Sequence, residues 1–466
     1  SWDRVRSRFG SDSGGTAERF LDQRAARTAW ANGSVSAARA LRERDNGTVV
    51  VGDDAPTLEA ALERAPANGT VRLPPGTYEG DLDVEKPLTI VGAGNETVIR
   101  GDGTGSVITV RSPRVALTDL HVTGVGDRPL GNVENATGEG WDERIQLVYG
   151  RGDAAVRLAD AHGSLVANVT IDTPTNGVAA LNTSGAVVEN VTVDGNDDRW
   201  EGGMGVIAMY SDLVVQDSAM VGGRDGVYTH HSHGVVIRDN RFIDGRFGTH
   251  FMYTSNGLFV DNCASGQALS GVTIMTSPTG VVIGDNIIID TEQGIATSGS
   301  DSYIGGNIVV GTGQAIRTSA RNSLYADNTV VGNDVGFRAS AVFPTSVVIR
   351  NDVVDNERHV RATSGPLRVW SHNGEGNYWS GAEGLDRRYS PTDPVDGRLH
   401  RTASARALAA APIVRGLRTL RGSVPGMRGE SVVDAAPRDT PANPARLETA
   451  ERLADGSANV SEVCSA

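Results

Sequence analysis

The sequence predicts an all-β chain: a right-handed parallel β-helix of about 22-residue coils, with an N-terminal capping helix and a C-terminal helical extension. Three observations carry this. From Ala155 to His359 a glycine or alanine recurs every 21 to 23 residues, with one spacing of 28. A short apolar strand follows each recurrence, as in "LVVQDS", "VVIRDN" and "VVIGDN". An asparagine closes most of these strands, at Asn168, Asn190, Asn240, Asn262, Asn286, Asn307, Asn328 and Asn351, with Ser218 in the equivalent place. One coil cannot bury its own inner face, whereas stacked coils build a continuous apolar column. Asparagine tolerates the left-handed backbone of a tight corner, and stacked amides bond along the ladder. A leucine-rich repeat has a similar period, but its LxxLxLxxN pattern is missing.

In chain order, residues 1–52 form an N-terminal helical segment, "ERFLDQRAARTAW" and "VSAARALRER". Residues 53–381 form the β-helix, which opens on a capping helix, "TLEAALERA", that closes the apolar end of the first coil. The segment "GDRPLGNVENATGEGWDERIQLVYGRGD" interrupts the coil and is expected to be a loop on one face. The insertion "DGNDDRWEGGM" fills the long spacing. Residues 382–466 form a C-terminal extension, in which Thr402–Gly422 reads as helix broken or kinked at Pro412.

Composition narrows the function. The 58 glycines and few aromatics disfavour a conventional globular core, and the formal charge of −14 disfavours nucleic-acid binding. Lys86 is the single lysine, so the surface is acidic and lysine-poor, as suits solubility at high salt. Cys263 and Cys464 are too far apart to read as a disulfide framework. Sequons at Asn32, Asn46, Asn68, Asn95, Asn135, Asn168, Asn182, Asn190 and Asn459 lean towards an exported protein. No stretch is apolar enough to span a membrane, and no signal region opens the chain, so either a signal has been removed or export is a wrong reading.

Strand alternation assigns faces to the rungs. The first and third positions after each rung start (Val206 and Ala208, Val227 and Thr229, Thr249 and Phe251) are apolar or small and are expected inside. The fourth positions, Met209, His230, Met252 and Met275, then share one outward column, about 4.8 Å per rung, with His250 on the same face. Such a stripe also serves simple packing, and His-rich stretches such as "THHSHG" are often only solvated. The alternative is a metal surface: thioethers and imidazoles favour Cu(I), and weak thioether binding suits hand-over rather than storage. His230, His250 and Met252 are the expected centre, with Met209 and Met275 flanking. A second outward column stacks Arg317, Arg338 and Arg361 beside Ser298, Ser319 and Ser340; it is either a solvated face or a surface for an acidic partner.

With these residues placed, the chain resembles the NosD family, exported accessory proteins that mature the copper sites of nitrous oxide reductase. The resemblance rests on the glycine-led coils, on "RFGTHFMYTSN" at Arg246–Asn256 and on "VWSHNGEGNYWS" at Val369–Ser380, and covers roughly Asp53 to Pro441. It implies a non-enzymatic maturation factor, periplasmic or at the outer face of the cytoplasmic membrane. It further implies an ABC transporter permease with its ATPase, a copper chaperone lipoprotein and the reductase as partners, and Cu(I) as the ion handled. Leu408, Ile413, Leu417 and Leu420, among arginines, are then expected to dock on the permease, unless this helix caps the coil end.

Parallel β-helices also carry polysaccharide lyases, hydrolases and epimerases, and surface binding modules. Such enzymes need a carboxylate pair, or acidic residues beside a base, on one outward face. The central outward columns hold Met, His, Ser and Arg instead, and most aspartates precede corner asparagines, where turn formation explains them.

Overall fold

The computed structural model describes residues 16–44, 46–128, 137–339, 345–363, 366–414, 416–417 and 431–464. It is mostly a parallel β-solenoid of about 14 coils, with an N-terminal helix and a few helices near the C-terminus. The chain divides into two compact units, Leu21–Ala268 and Leu269–Ala466, the latter joined by the segment up to Phe20.

In the first unit, strands β1 (Asn176–Leu181), β2 (Val206–Met209), β3 (Asp225–His230) and β4 (Phe247–Met252) stack in parallel. Val178, Val206, Val227 and Thr249 are register partners, so the column assignment from glycine spacing holds residue for residue. Helix α1 (Thr16–Arg39) contributes its part from Leu21 onward to this unit. Its Ala31, Val35 and Ala38 recur at helical spacing and are buried, while Arg39 pairs with Glu189 at 2.9 Å. Helix α2 (Leu58–Arg64), capped by the Thr57 hydroxyl, precedes the early coils as expected. The interrupting segment is not only loop: Trp141–Tyr149 forms helix α3.

In the second unit, β5 (Ser270–Met275), β6 (Gln293–Ala296), β7 (Gln314–Arg317), β8 (Val335–Ala339) and β9 (Arg358–Ala362) hold Val272, Ile295, Ile316, Phe337 and Val360 in one register column. Beside them runs the asparagine ladder. Asn286 donates to Asn307 (2.9 Å), Asn307 to Asn328 (2.9 Å) and Asn328 to Asn351 (2.8 Å), all buried. At these rungs the left-handed corner belongs to the preceding residue, such as Asp285 (φ 56°) or Asp327 (φ 59°), rather than to the asparagine. The short aspartate tolerates that conformation, which frees the asparagine to point inward and bond along the stack.

The tail packs on this unit. Helix α4 (Ala403–Ala410) buries Ala405 and Ala409. Helix α5 (Pro444–Ala454) buries Leu447, Ala450 and Leu453 against Ile308, Val310, Val331 and Val354. Its entry is fixed by the Asp352 carboxylate, which accepts the Ala442 and Asn443 N–H groups at 2.7 and 2.8 Å. Asp434 likewise accepts the Trp379 indole N–H at 2.9 Å and the Asn377 amide. Neither cysteine is a free thiol. That corrects the expectation drawn from their separation along the chain.

Candidate metal centre

The outward column on β2, β3 and β4 is not solvent-facing. His230 is 0% exposed, Met209 3%, Met252 4% and His250 7%. The physical reason is α3. Its Ile145 and Tyr149, one helical turn apart, pack into one apolar cluster with Ile207, Met209, Tyr228 and Met252. The side chains therefore leave the coil on the expected face and are roofed by the inserted helix. Met275, on β5 in the other unit, is 43% exposed.

The first turn of α3 brings Asp142 over the column. Asp142 Oδ1 lies 2.7 Å from His230 Nε2, and Asp142 Oδ2 lies 2.9 Å from His231 Nε2. One ligand atom from each of these three residues lies within 4.8 Å of the others. Apart from this contact, neither Asp142 Oδ1 nor His230 Nε2 has a hydrogen-bond partner among the described residues, and both atoms are buried. His231 adopts a left-handed corner (φ 46°), as do Tyr210 and Tyr253 on the neighbouring rungs. Its ring is stacked between theirs, 5.3 Å from Tyr210 and 4.5 Å from Tyr253. That sandwich fixes the imidazole that faces Asp142.

Electrostatics set the protonation. Burial pushes the His230 imidazole down to about 4 in spite of Asp142, so it is neutral at pH 7. Burial raises Asp142, but the hydrogen bond from His231 and the two imidazoles outweigh it, and its carboxyl ends below the usual range. A carboxylate and two imidazoles form a borderline donor set that suits divalent first-row ions, copper among them. Donors in cis positions at bonds of roughly 2.0 Å stand about 2.8 Å apart, near the Asp142–His230 separation.

The expected centre of His230, His250 and Met252 is arranged differently. His250 Nδ1 lies 3.3 Å from Asp225 Oδ2, in a buried group where Arg246 pairs with the same carboxylate at 2.8 Å. Burial raises Asp225, yet Arg246 and His250 more than reverse this and hold its carboxyl below the usual range. The Met252 sulfur accepts the Tyr228 hydroxyl at 3.1 Å. The Met209 sulfur lies under the end of α3, against Gly150. Sequence reasoning missed Asp142, His231 as a donor, and Tyr228. The available signal was "WDERIQLVY", with acids in a first turn and Ile145 and Tyr149 four apart, a helix with one apolar face.

Elsewhere the arginine column stands in register, Arg317 beside Arg338 and Arg338 beside Arg361. Arg338 donates to Gln314 at 2.8 Å. Leu408, Ile413 and Leu417 are exposed, while Leu420 and Ser340 lie outside the described residues.

Part of the chain is similar to known proteins. Residues 203–384 match the family model described as "Periplasmic copper-binding protein (NosD)". The "Probable ABC transporter binding protein NosD" of Stutzerimonas stutzeri is 32% identical over 95 residues, 19% of this chain and 22% of that protein. Its counterpart in Pseudomonas aeruginosa is 30% identical over the same length and shares. The chain thus spans about a fifth of the curated relatives it matches. Similar solved structures include the mannuronan C-5 epimerase AlgE6 A-module of Azotobacter vinelandii, with 15% identity, TM-score 0.48 and coverage of 66% of this chain and 91% of that one. An exopolygalacturonase of Thermotoga maritima follows with 12% identity, TM-score 0.44 and coverage of 70% and 96%. Likeness at this level carries no argument about chemistry. The family model and the two relatives show that a central part of this chain is similar to NosD proteins.

Proposed function

We propose that the chain is an exported, non-enzymatic factor that holds copper in transit for the copper sites of nitrous oxide reductase. In this reading copper is cargo, received from a chaperone lipoprotein, and an ABC transporter supplies the ATPase. Asp142, His230 and His231 hold the ion, with the Met252 and Met209 thioethers beneath as soft donors for transfer. His250 supports β4 through Asp225, and Met275 is a donor on the exposed end of β5. The arginine column of Arg317, Arg338 and Arg361 is a surface for an acidic partner, and Leu408, Ile413, Leu417 and Leu420 are a contact for the permease.

The observation that supports this most is the pair of facing, buried atoms Asp142 Oδ1 and His230 Nε2, which have no partner but each other among the described residues. A carboxylate oxygen and an imidazole nitrogen at that distance need a proton or a cation between them. A carbohydrate-active site would set Asp142 against a second carboxylate, whereas its partners here are two imidazoles. Equilibrium dialysis against copper tests the reading. One copper per chain is expected, with at least a tenfold loss of affinity in Asp142→Asn; equal copper content in the two proteins would refute the site.

A further inference from the structure

We propose that Tyr228 determines which ion this site accepts, by keeping His230 Nε2 bare and the Met252 thioether occupied. The inference rests on the metal reading of Asp142, His230 and His231. The Tyr228 hydroxyl stands between two acceptor positions, 3.1 Å from Met252 Sδ and 3.2 Å from His230 Nδ1. It has one hydrogen to give. Donated to Met252, that hydrogen leaves the phenol oxygen to accept from His230 Nδ1, which must then carry the single proton of a neutral imidazole. His230 Nε2 is then left with a bare lone pair facing Asp142 Oδ1, 2.7 Å away. A metal-binding histidine commonly donates its other ring N–H in this way, which fixes tautomer and ring orientation.

The same bond decides the donor set. With its sulfur engaged, Met252 offers nothing to an ion at Asp142, and the site presents the Asp142 carboxylate, His230 Nε2 and, once an ion displaces its Nε2 proton, His231: one oxygen and two nitrogens, a set for a divalent ion. If the Tyr228 hydrogen turned to His230 Nδ1, Nε2 would carry the proton and donate to Asp142. The divalent site would close, and the soft thioether preferred by Cu(I) would be free. Tyr228 is packed for this role. It is fully buried, edge-on to Tyr149 of α3 at 5.2 Å and to His250 at 5.2 Å, so the ring has little room to swing away.

The test uses the full chain and four proteins: wild type, Tyr228→Phe, Met252→Leu and Asp142→Asn. Cu(II) and Co(II) are titrated directly, Cu(I) against a competing chelator, with far-UV circular dichroism as a folding check. Tyr228→Phe is expected to lose roughly ten- to a hundredfold in Cu(II) and Co(II) affinity and to gain in Cu(I) affinity. Met252→Leu, which removes no divalent ligand, is expected to weaken Cu(II) several-fold, because the freed Tyr228 hydrogen then turns to His230. Paramagnetic resonance of wild-type Cu(II) should show nitrogen and oxygen donors. Divalent binding that Asp142→Asn abolishes but Tyr228→Phe and Met252→Leu leave unchanged would overturn the role of Tyr228 while the site stands. Wild type that binds no better than Asp142→Asn would overturn the site itself, and this inference with it.

Discussion

His230 Nε2 lies 2.7 Å from Asp142 Oδ1 although one residue belongs to a coil and the other to an insertion between coils. The contact exists because Ile145 and Tyr149 seat α3 on the Met and Tyr side chains of β2 to β4. Ile145→Ala should therefore lower copper affinity without removing a ligand, and cost about 2–4 kcal/mol of stability. Copper titration and thermal unfolding of the variant measure both effects. Unchanged affinity beside a lowered Tm would show that the roof does not hold Asp142 in place.

Arg246, Asp225 and His250 form a buried charged group beneath the roof. Removing its one carboxylate strands the guanidinium, so Asp225→Asn is expected to cost about 3–5 kcal/mol in urea unfolding. His250→Gln, by contrast, should leave copper affinity within about twofold of wild type, because Asp142, His230 and His231 stay in place. A tenfold loss in His250→Gln would return that residue to the metal centre.

His359 gives a pH dependence of definite sign. Burial and the neighbouring His400 push its imidazole down to about 3, and the two rings are stacked at 4.0 Å. The unfolded chain, with histidine near 6.5, binds the extra proton first. The stability that this site contributes is thus complete above about 6.5 and is lost as pH falls towards 3. Wild type should lose about 1–2 kcal/mol more than His359→Gln between roughly pH 6.5 and 5. Parallel pH profiles for the two proteins would rule this out.

The tail is expected to act as structure as well as surface. Leu447→Ala, facing Ile308, Val310, Val331 and Val354, should cost about 2–5 kcal/mol. Deleting Ser390–Ala466 removes Asp434 from Asn377 and Trp379 and strips α5 from its apolar bed. The truncated chain should melt earlier and bind hydrophobic dyes. A truncation that keeps the full Tm but loses the transporter would instead leave the tail a pure docking element.

The periodicity of this sequence determined the coils, their register and which columns point out of the solenoid. Glycine starts, alternation and asparagines recur at fixed spacing, and each is a local constraint that repeats. The same arithmetic correctly lined up Arg317, Arg338 and Arg361. It did not determine what covers a column. Burial of Met209, His230 and Met252 and the arrival of Asp142 over His230 depend on α3 folding back onto β2 to β4. That helix lies outside the repeat, so no register argument reaches it. Its position is set by apolar packing between segments far apart in sequence, and only the tertiary structure decides which polar atoms such packing brings face to face.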